Sequence, residues 1–267
     1  MKKLFLFFSF VFLMGCEDAI DLELPAAEDR IVIDATLWRP IDGTSGMLEV
    51  LLSKTTDFYA TEVPAVGGAQ VQLVTPTSLM TANEQAPGRY LIENVSVEED
   101  INYTLRVVVD GISYIASESL VLSTPIDAIT QGENTLFSGE ETEVVVQFTD
   151  RPEEGNYYLM DFGYNNLFVT RDKFYNGNQL TFSFFYDKFF PKETPTPIHL
   201  MAVDKDFYTY MQILVSHAGQ DGGGPFATAK STLRGNIQNT SDSDSYPLGY
   251  FRVVERDTYI FTATENK

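Results

Sequence analysis

The chain has 267 residues, 38 of them acidic and 18 basic, for a net charge of −20. So acidic a surface is repelled by phosphate backbones and by anionic headgroups, which argues against nucleic acid as a partner and against charge as the means of holding the protein to a membrane. The 44% hydrophobic and 13% aromatic content is that of a globular protein, and about 250 residues suffice for one large or two medium domains.

Met1, Lys2 and Lys3 give a short cationic start, and Leu4 to Met14 is apolar apart from Ser9, the layout of a signal peptide. The apolar run is roughly half of the ~20 residues a spanning helix needs, so a retained transmembrane anchor is not expected. Leu13-Met14-Gly15-Cys16 resembles the bacterial lipobox, in which a small residue fits the peptidase and the cysteine thiol accepts diacylglycerol. The resemblance implies that residues 1–15 are removed and that Cys16 becomes the acylated first residue. The alternative is an ordinary secretory signal with a chance cysteine. Cys16 is the one cysteine of the chain, so no disulfide can form within it. Removing residues 1–15 takes away two of the 18 bases and none of the 38 acids, which leaves the mature chain at −22. Several acyl chains on one cysteine, at about 0.8 kcal/mol per buried methylene, would make the membrane attachment effectively permanent.

Residues 16–29 read as a tether, with Glu17, Asp18, Asp21, Glu23, Glu28 and Asp29 ahead of the first base, Arg30. Such a run is suited to solvation and disorder. Glu17 and Asp18, directly behind the cysteine, also resemble the acidic export signal that takes Bacteroidota lipoproteins to the cell surface. The location expected on these grounds is the outer membrane, lipid-anchored and surface-exposed.

From residue 30 to 124 short strands alternate with turn chemistry, the pattern of an immunoglobulin- or fibronectin-like β-sandwich. Strands are expected over Ile31 to Trp38, Met47 to Lys54, Ala69 to Thr75, Arg89 to Glu93, Ile101 to Val109 and Ile112 to Val121. The last two form the clearest hairpin: Ile101, Tyr103, Leu105, Val107 and Val109 share a face, and Asp110-Gly111 is a favoured two-residue turn. Tyr103-x-Leu105-x-Val107 looks like the strand of such modules in which a tyrosine pins a corner, or else is plain cross-strand packing. Ser123-Thr124-Pro125 interrupts the pattern, because proline removes a donor and holds its predecessor extended, and a domain boundary is placed there.

Residues 125–267 are expected to form a second, strand-rich domain with strands at Glu143 to Thr149, Asn156 to Tyr164, Gln179 to Tyr186, Pro197 to Val203, Ser231 to Ile237, Tyr250 to Glu255 and Thr258 to Thr262. One amphipathic helix is predicted over Asp206 to Ala218. There Phe207, Tyr210, Met211, Leu214 and Val215 recur at helical spacing, with Asp204 as cap and Gly219 as stop. Gly222 to Gly224 and Ser241 to Ser245 read as loops. No repeat of solenoid or propeller length occurs.

Catalytic machinery is sparse. His199 and His217 are the two histidines, without the paired-histidine helix of zinc proteases or a cysteine partner, so no metal site is expected. No Gly-x-Ser-x-Gly elbow is present, Gly43-Thr44-Ser45-Gly46 having the wrong spacing, and no phosphate-binding glycine loop. Asp242 with Asp244, or Asp204 with Asp206, offers oxygens for calcium but lacks the loop that holds it. Acids are abundant enough for a glycosidase pair, though most read as surface charge. The expectation is a protein with no catalytic residue and no cofactor.

The segment from Tyr157 to Phe190 is more distinctive. It packs 13 aromatics into 34 residues, against about four or five at the chain's average. Leu180, Phe182, Phe184 and Tyr186 share one face of a strand, which leaves Phe185 on the other and Phe189 and Phe190 in a loop before Pro191. Phe185, Phe189 and Phe190 are therefore candidate partner or ligand contacts, since exposed aromatics supply contact area at little entropic cost. The alternative is a strand buried on both faces.

Taken in order, Cys16-Glu17 with Ile20-Asp21-Leu22, Ile31 to Ala35, Leu52 to Thr55, Gly68 to Val71, Gly88 to Tyr90, Tyr103-x-Leu105, Asn236-Ile237 and Leu248 to Phe251 are similar to a Bacteroidota surface-lipoprotein family of unknown function whose members are encoded beside TonB-dependent outer-membrane receptors. The chain departs from it between Ile237 and Leu248, where a Ser/Asp loop replaces a short glycine-rich link. The resemblance implies a non-enzymatic accessory or substrate-capture subunit of a TonB-dependent transporter, with that receptor as its protein partner. The alternative is a structural, adhesion or outer-membrane assembly or secretion accessory.

Overall fold

The computed structural model describes residues 29–56, 60, 62–136, 138–217 and 233–264, the side chains of Ser216 and His217 excepted. The first half carries β1 (Ile31–Pro40), β2 (Ser45–Lys54), β3 (Gln70–Val74), β4 (Leu79–Thr81), β5 (Asn83–Ala86), β6 (Arg89–Ser96), β7 (Asn102–Val109) and β8 (Ile112–Ser119). After the prolyl interruption come β9 (Ile126–Gln131), β10 (Thr142–Thr149), β11 (Tyr157–Asp161), β12 (Leu167–Arg171), β13 (Gln179–Tyr186), β14 (Thr196–Val203), the helix α1 (Lys205–His217), β15 (Gln238–Asn239) and β16 (Leu248–Phe261).

The fold is mainly β and is organised by one eight-stranded sheet of order β12-β11-β14-β16-β1-β2-β6-β5. One face of this sheet is covered at its first-half end by the five-stranded sheet β15-β8-β7-β3-β4 and at its other end by the three-stranded sheet β13-β10-β9. Alternation decides which side chain enters which layer. Ile33, Ala35 and Leu37 of β1 join Leu48, Val50, Leu73, Leu105 and Val107 in the first core. Ile198, Leu200 and Ala202 of β14 join Phe148, Tyr158, Met160 and Phe162 in the second. The intervening positions face the opposite way, where Leu159, Met201, Val203, Tyr250 and Val254 receive Phe207, Tyr208 and Met211 of α1.

β16 connects the two halves. Its first part runs parallel to β1, Val32 facing Leu248 through Pro40 facing Arg256, and its last part runs antiparallel to β14, Met201 facing Arg256 through Thr196 facing Phe261. The first core is not confined to residues before 125: Ile237, Phe251 and Val253 come from beyond the division expected at residues 124–125 to pack in it. The two strands expected over Tyr250 to Glu255 and Thr258 to Thr262 are one, because Glu255 and Asp257, which with Arg256 interrupt the apolar pattern, are hydrogen-bonded by neighbouring segments. Glu255 accepts Arg39 Nη2 at 2.8 Å and Nε at 3.2 Å, and its second oxygen accepts Ser123 N–H at 2.9 Å. Arg39 Nη1 donates to Val97 O, and Ser123 Oγ accepts Ala202 N–H. Both charged side chains are buried, so this ion pair, with Ser123, pins β1, β16, β14 and the linker at one point.

Local chemistry explains the joints. Asp110 and Gly111 both have positive φ, the two-residue hairpin turn expected between β7 and β8. Tyr103 is buried, its hydroxyl accepting Glu98 N–H at 2.7 Å and donating to Ser96 O at 3.2 Å, so it pins the corner that joins β6 to β7. Asp204 Oδ1 accepts Phe207 N–H at 2.7 Å and caps α1 as expected.

The strand expected over Ser231 to Ile237 is absent from its described part, residues 233–237. Asn236 instead presents its side-chain amide to β16, accepting from Phe251 N–H and donating to Phe251 O, which imitates a strand partner. A Cβ on Gly235 would lie 1.7 Å from Gly249 O, so this close approach requires glycine. β4, β5, β9, β12 and β15 were not expected from the sequence. β5 reads Asn-Glu-Gln-Ala, fully exposed at the sheet edge, where no apolar alternation is needed. Among the described residues no helix is long and apolar enough to cross a membrane.

Candidate functional site

The loops joining β9 to β10, β11 to β12 and β13 to β14 gather at one end of the second sandwich, and they carry the aromatics singled out above. Phe189 is the apex of the β13–β14 loop and is 80% exposed. Its N–H donates to Asp187 Oδ1 at 2.9 Å, which fixes the turn, while Lys188 Nζ stands 5.4 Å from the ring centre and 3.7 Å from Glu140 of the β9–β10 loop. Tyr164, 58% exposed, heads the β11–β12 turn, where it and Asn165 adopt positive φ. Leu136 adds a third exposed apolar side chain.

Phe190 is not a surface contact. It is 6% exposed, stacks on Tyr186 at 3.7 Å with 10° between the planes, and meets Tyr164 edge-on at 5.8 Å. The turn that precedes Pro191, closed by Phe190 N–H donating to Asp187 O at 3.2 Å, leaves the first phenylalanine of the pair outward and the second on the core. Phe185 is half-buried on the outer face of β13, register partner of Glu143. Leu180, Phe182, Phe184 and Tyr186 do share the inner face as expected, packing on the second core with Phe184 stacked on Phe162 at 4.0 Å. Burial pushes the Tyr186 hydroxyl's pKa up, and that hydroxyl donates to Phe162 O at 2.5 Å. The exposed ring of Phe189 therefore stands on a rigid aromatic support. Cys16, Glu17 and Asp18 lie outside the described residues.

The groups weighed for chemistry are dispersed. His199 Nδ1 lies 2.9 Å from Thr258 Oγ1, and burial, helped by the Arg256 charge, lowers its pKa. Asp242 Oδ1 accepts Asp244 N–H, so this pair is engaged in its own turn. Asp204 caps the helix. Glu118, held by Asn236 Nδ2 at 2.7 Å, has its pKa raised by burial, with Asp204 and Asp206 adding to the rise. Among the described residues no three of His, Cys, Asp and Glu come together as metal ligands.

The hollow of about 400 Å³ where the chain enters β1 is lined by Arg30, Lys54, Asp110, Asp242, Asp244 and Tyr246, among others. Its Tyr246 ring lies between the guanidinium groups of Arg30 and Arg234, at 4.2 and 3.4 Å. Sequence reasoning missed Tyr164 and Leu136 as companions of Phe189. Gly163-Tyr164-Asn165-Asn166 was the readable signal, a turn with an aromatic inside it.

Position is what distinguishes the loop end. The first described residues lead into β1 beside Leu248, the start of β16. Phe190 instead stacks near Phe261, the end of β16, and Glu193 N–H donates to Ala263 O just beyond it. Fourteen residues of strand separate the two ends, roughly 45 Å at ~3.3 Å per residue.

A family model, Domain of unknown function (DUF4249), matches residues 17–260. The chain belongs to this family. Among solved structures it is similar to a red sea bream transglutaminase, at 10% identity over 86% of this chain and 31% of that one with a TM-score of 0.23. It is also similar to the FN1–FN3 domains of chicken CNTN1, at 12% identity over 66% of this chain and 61% of that one with a TM-score of 0.19. The chain thus spans less than two thirds of either protein, as solved. No curated protein matches. DUF4249 membership shows a family of unknown function and leaves the function to be argued from the residues.

Proposed function

We propose that this DUF4249 protein is a lipoprotein of the outer membrane, anchored through Cys16 and exposed at the cell surface, where it serves without catalysis as an accessory or substrate-capture subunit of a TonB-dependent transporter. The observation that carries the reading is the polarity of the molecule. The first described residues lead into β1 at one end of β16, and the exposed loop aromatics Phe189 and Tyr164 stand at the other. An anchor at the first end leaves the second free to meet a partner or cargo. The lipobox-like Leu13 to Cys16 and the acids behind it support the membrane and surface parts of the reading, and the likeness to a receptor-linked Bacteroidota family supports the partner.

Two measurements test it. Metabolic labelling with palmitate should mark the wild type and leave Cys16→Ser unmarked. Gentle solubilisation of outer membranes followed by capture of the protein should recover a TonB-dependent barrel, with recovery falling at least about tenfold in Phe189→Ala, as expected for a central aromatic contact. Recovery of the protein as a clean monomer would sink the transporter role. A structural or assembly role is the second reading, favoured by the immunoglobulin-like first sandwich, and it predicts that deletion alters surface assembly or adhesion while nutrient growth is unchanged.

A further inference from the structure

On the face of the large sheet shared with α1, two arginines of β16 follow one another at the same phase and are treated differently. Arg252 Nη1 bonds Asp34 Oδ1 at 2.8 Å. Arg256, also half-buried, has its guanidinium 3.3 Å from the ring centre of Trp38 and makes no hydrogen bond or ion pair among the described residues. Its Nε, like that of Arg252, is fully buried and without a partner; Arg252 differs in that its Nη1 is held by Asp34. Every other arginine of the described residues buried to this degree holds a carboxylate or a carbonyl: Arg30 the Tyr246 carbonyl, Arg39 Glu255, and Arg151 Glu153. Charged groups withdrawn from water are normally paired, so a half-buried guanidinium on an aromatic wall with no partner among the described residues is disposed to accept an anion.

The surroundings define that anion. His199 is a diagonal neighbour of Arg256 across the β14–β16 pair, where Met201 faces Arg256 and His199 faces Thr258. Its Nδ1 is engaged by Thr258, and its second ring nitrogen makes no hydrogen bond among the described residues. The charge at the site is therefore close to that of Arg256 alone, moderated by Glu49 and Asp161, whose fields oppose the burial that brings its pKa to about 10. Those two carboxylates repel any anion at the site, and they repel a dianion such as phosphate about twice as strongly as a single carboxylate. The guanidinium fork fits a carboxylate's two oxygens side by side. Trp38 also lines a hollow of about 360 Å³ together with Pro40, Met47, Glu93 and Asn94.

We propose that Arg256, stacked on Trp38 beside His199, is a binding site for a ligand bearing one carboxylate, either the free C-terminus of a peptide or an acidic sugar. The site lies on the sheet face rather than at the loop end, and it does not depend on the transporter reading.

Trp38 is the one tryptophan of the chain, so its emission reports this site directly. The full-length protein in mild detergent would be titrated with N-acetylalanine, glucuronate, phosphate and chloride at matched ionic strength. The expected result is a saturable emission change with a carboxylate that chloride does not produce. The carboxylate that saturates at the lower concentration tells a peptide end from an acidic sugar. Arg256→Gln should weaken that binding by about tenfold or more, and Arg256→Lys, which keeps the charge but loses the fork, should weaken it too. Far-UV circular dichroism checks that each variant is folded, and the lysine variant decides should the glutamine variant unfold. Carboxylate titrations that match chloride, full binding in a folded arginine variant, or saturation by phosphate at lower concentration than by either carboxylate would each overturn the proposal.

Discussion

The two cores solve the same problem with different side chains. The first is built mainly from Val, Leu and Ile that alternate along β1, β2, β3 and β7, and its tyrosines reach backbone at the rim, as Tyr103 does at the corner and Tyr90 does with Ala69 N–H and Val66 O. The second is built around Phe148, Tyr158, Phe162, Tyr186, Phe190 and Phe261, and two of these, Phe162 and Phe190, lie outside any strand. An aliphatic core is filled by strands alone. The aromatic one needs rings delivered from the connecting loops as well, so the loops beside it are held in place and can display further rings to solvent.

The point where the two cores join should be the most sensitive. Removing the Glu255 carboxylate in Glu255→Ala would leave Arg39 charged and buried and would release Ser123 N–H, at a cost of about 3–5 kcal/mol. Chemical denaturation would read this as a lower midpoint. Because β16 runs through both sandwiches, tryptophan emission from Trp38, near the joint, and far-UV signals from all strands should fall together; two separated transitions in the wild type would break the account of one continuous sheet.

Next in size is a contrast between neighbours in the aromatic half. Phe190→Ala empties a position between Tyr186, Tyr164 and Phe261 and should cost about 3 kcal/mol. Phe189→Ala, one residue away, should change stability by less than about 0.5 kcal/mol, since its ring touches mainly solvent and Lys188. Thermal unfolding of the two variants side by side checks the assignment of one ring as support and the other as contact surface. In the aliphatic half the corresponding change is smaller: Tyr103→Phe keeps the packing and loses two hydrogen bonds at the corner, worth about 1 kcal/mol.

The same contrast explains what could be read from the sequence. β1, β2, β7 and β8 were legible because their apolar residues alternate over eight or more positions, and β13 was legible for the same reason despite its aromatic content. β12, reading Leu-Phe-Val-Thr-Arg, is too short for a period to show. β16 was read as two strands because a charge triplet interrupts it, and only the tertiary pairing with Arg39, Ser123 and Ile126 makes those charges compatible with one strand. Phe189 as a contact and Phe190 as a core residue were indistinguishable in sequence, since adjacent loop positions have no fixed phase. The isolation of Arg256 was invisible for a further reason: acids are abundant near it in sequence, Glu255 and Asp257 on either side, and the sheet turns both away to other partners.

The smallest expected effect concerns pH, and it takes opposite signs in the two halves. Glu143 of β10 is buried, and its carboxylate accepts Ser183 Oγ and Asn134 at 2.5–3.0 Å; these bonds, the serine hydroxyl first, hold its pKa below the ordinary value of about 4.5. A depressed folded pKa means stability that is present above the unfolded value and lost as pH falls through the folded one. Glu118 of β8, raised by burial, behaves in reverse: its contribution is favourable below the unfolded value and is lost as pH rises through the folded value. Acidification should therefore loosen the aromatic half through Glu143 while relieving the aliphatic half at Glu118. Melting temperatures taken from about pH 7 to about pH 3 should fall less steeply in Glu143→Gln than in the wild type, with the difference confined to the acid side of about pH 5. Glu118→Gln should instead raise the melting temperature slightly near neutrality and converge on the wild type in acid. Parallel curves for all three proteins would remove these two carboxylates from any account of how the halves differ.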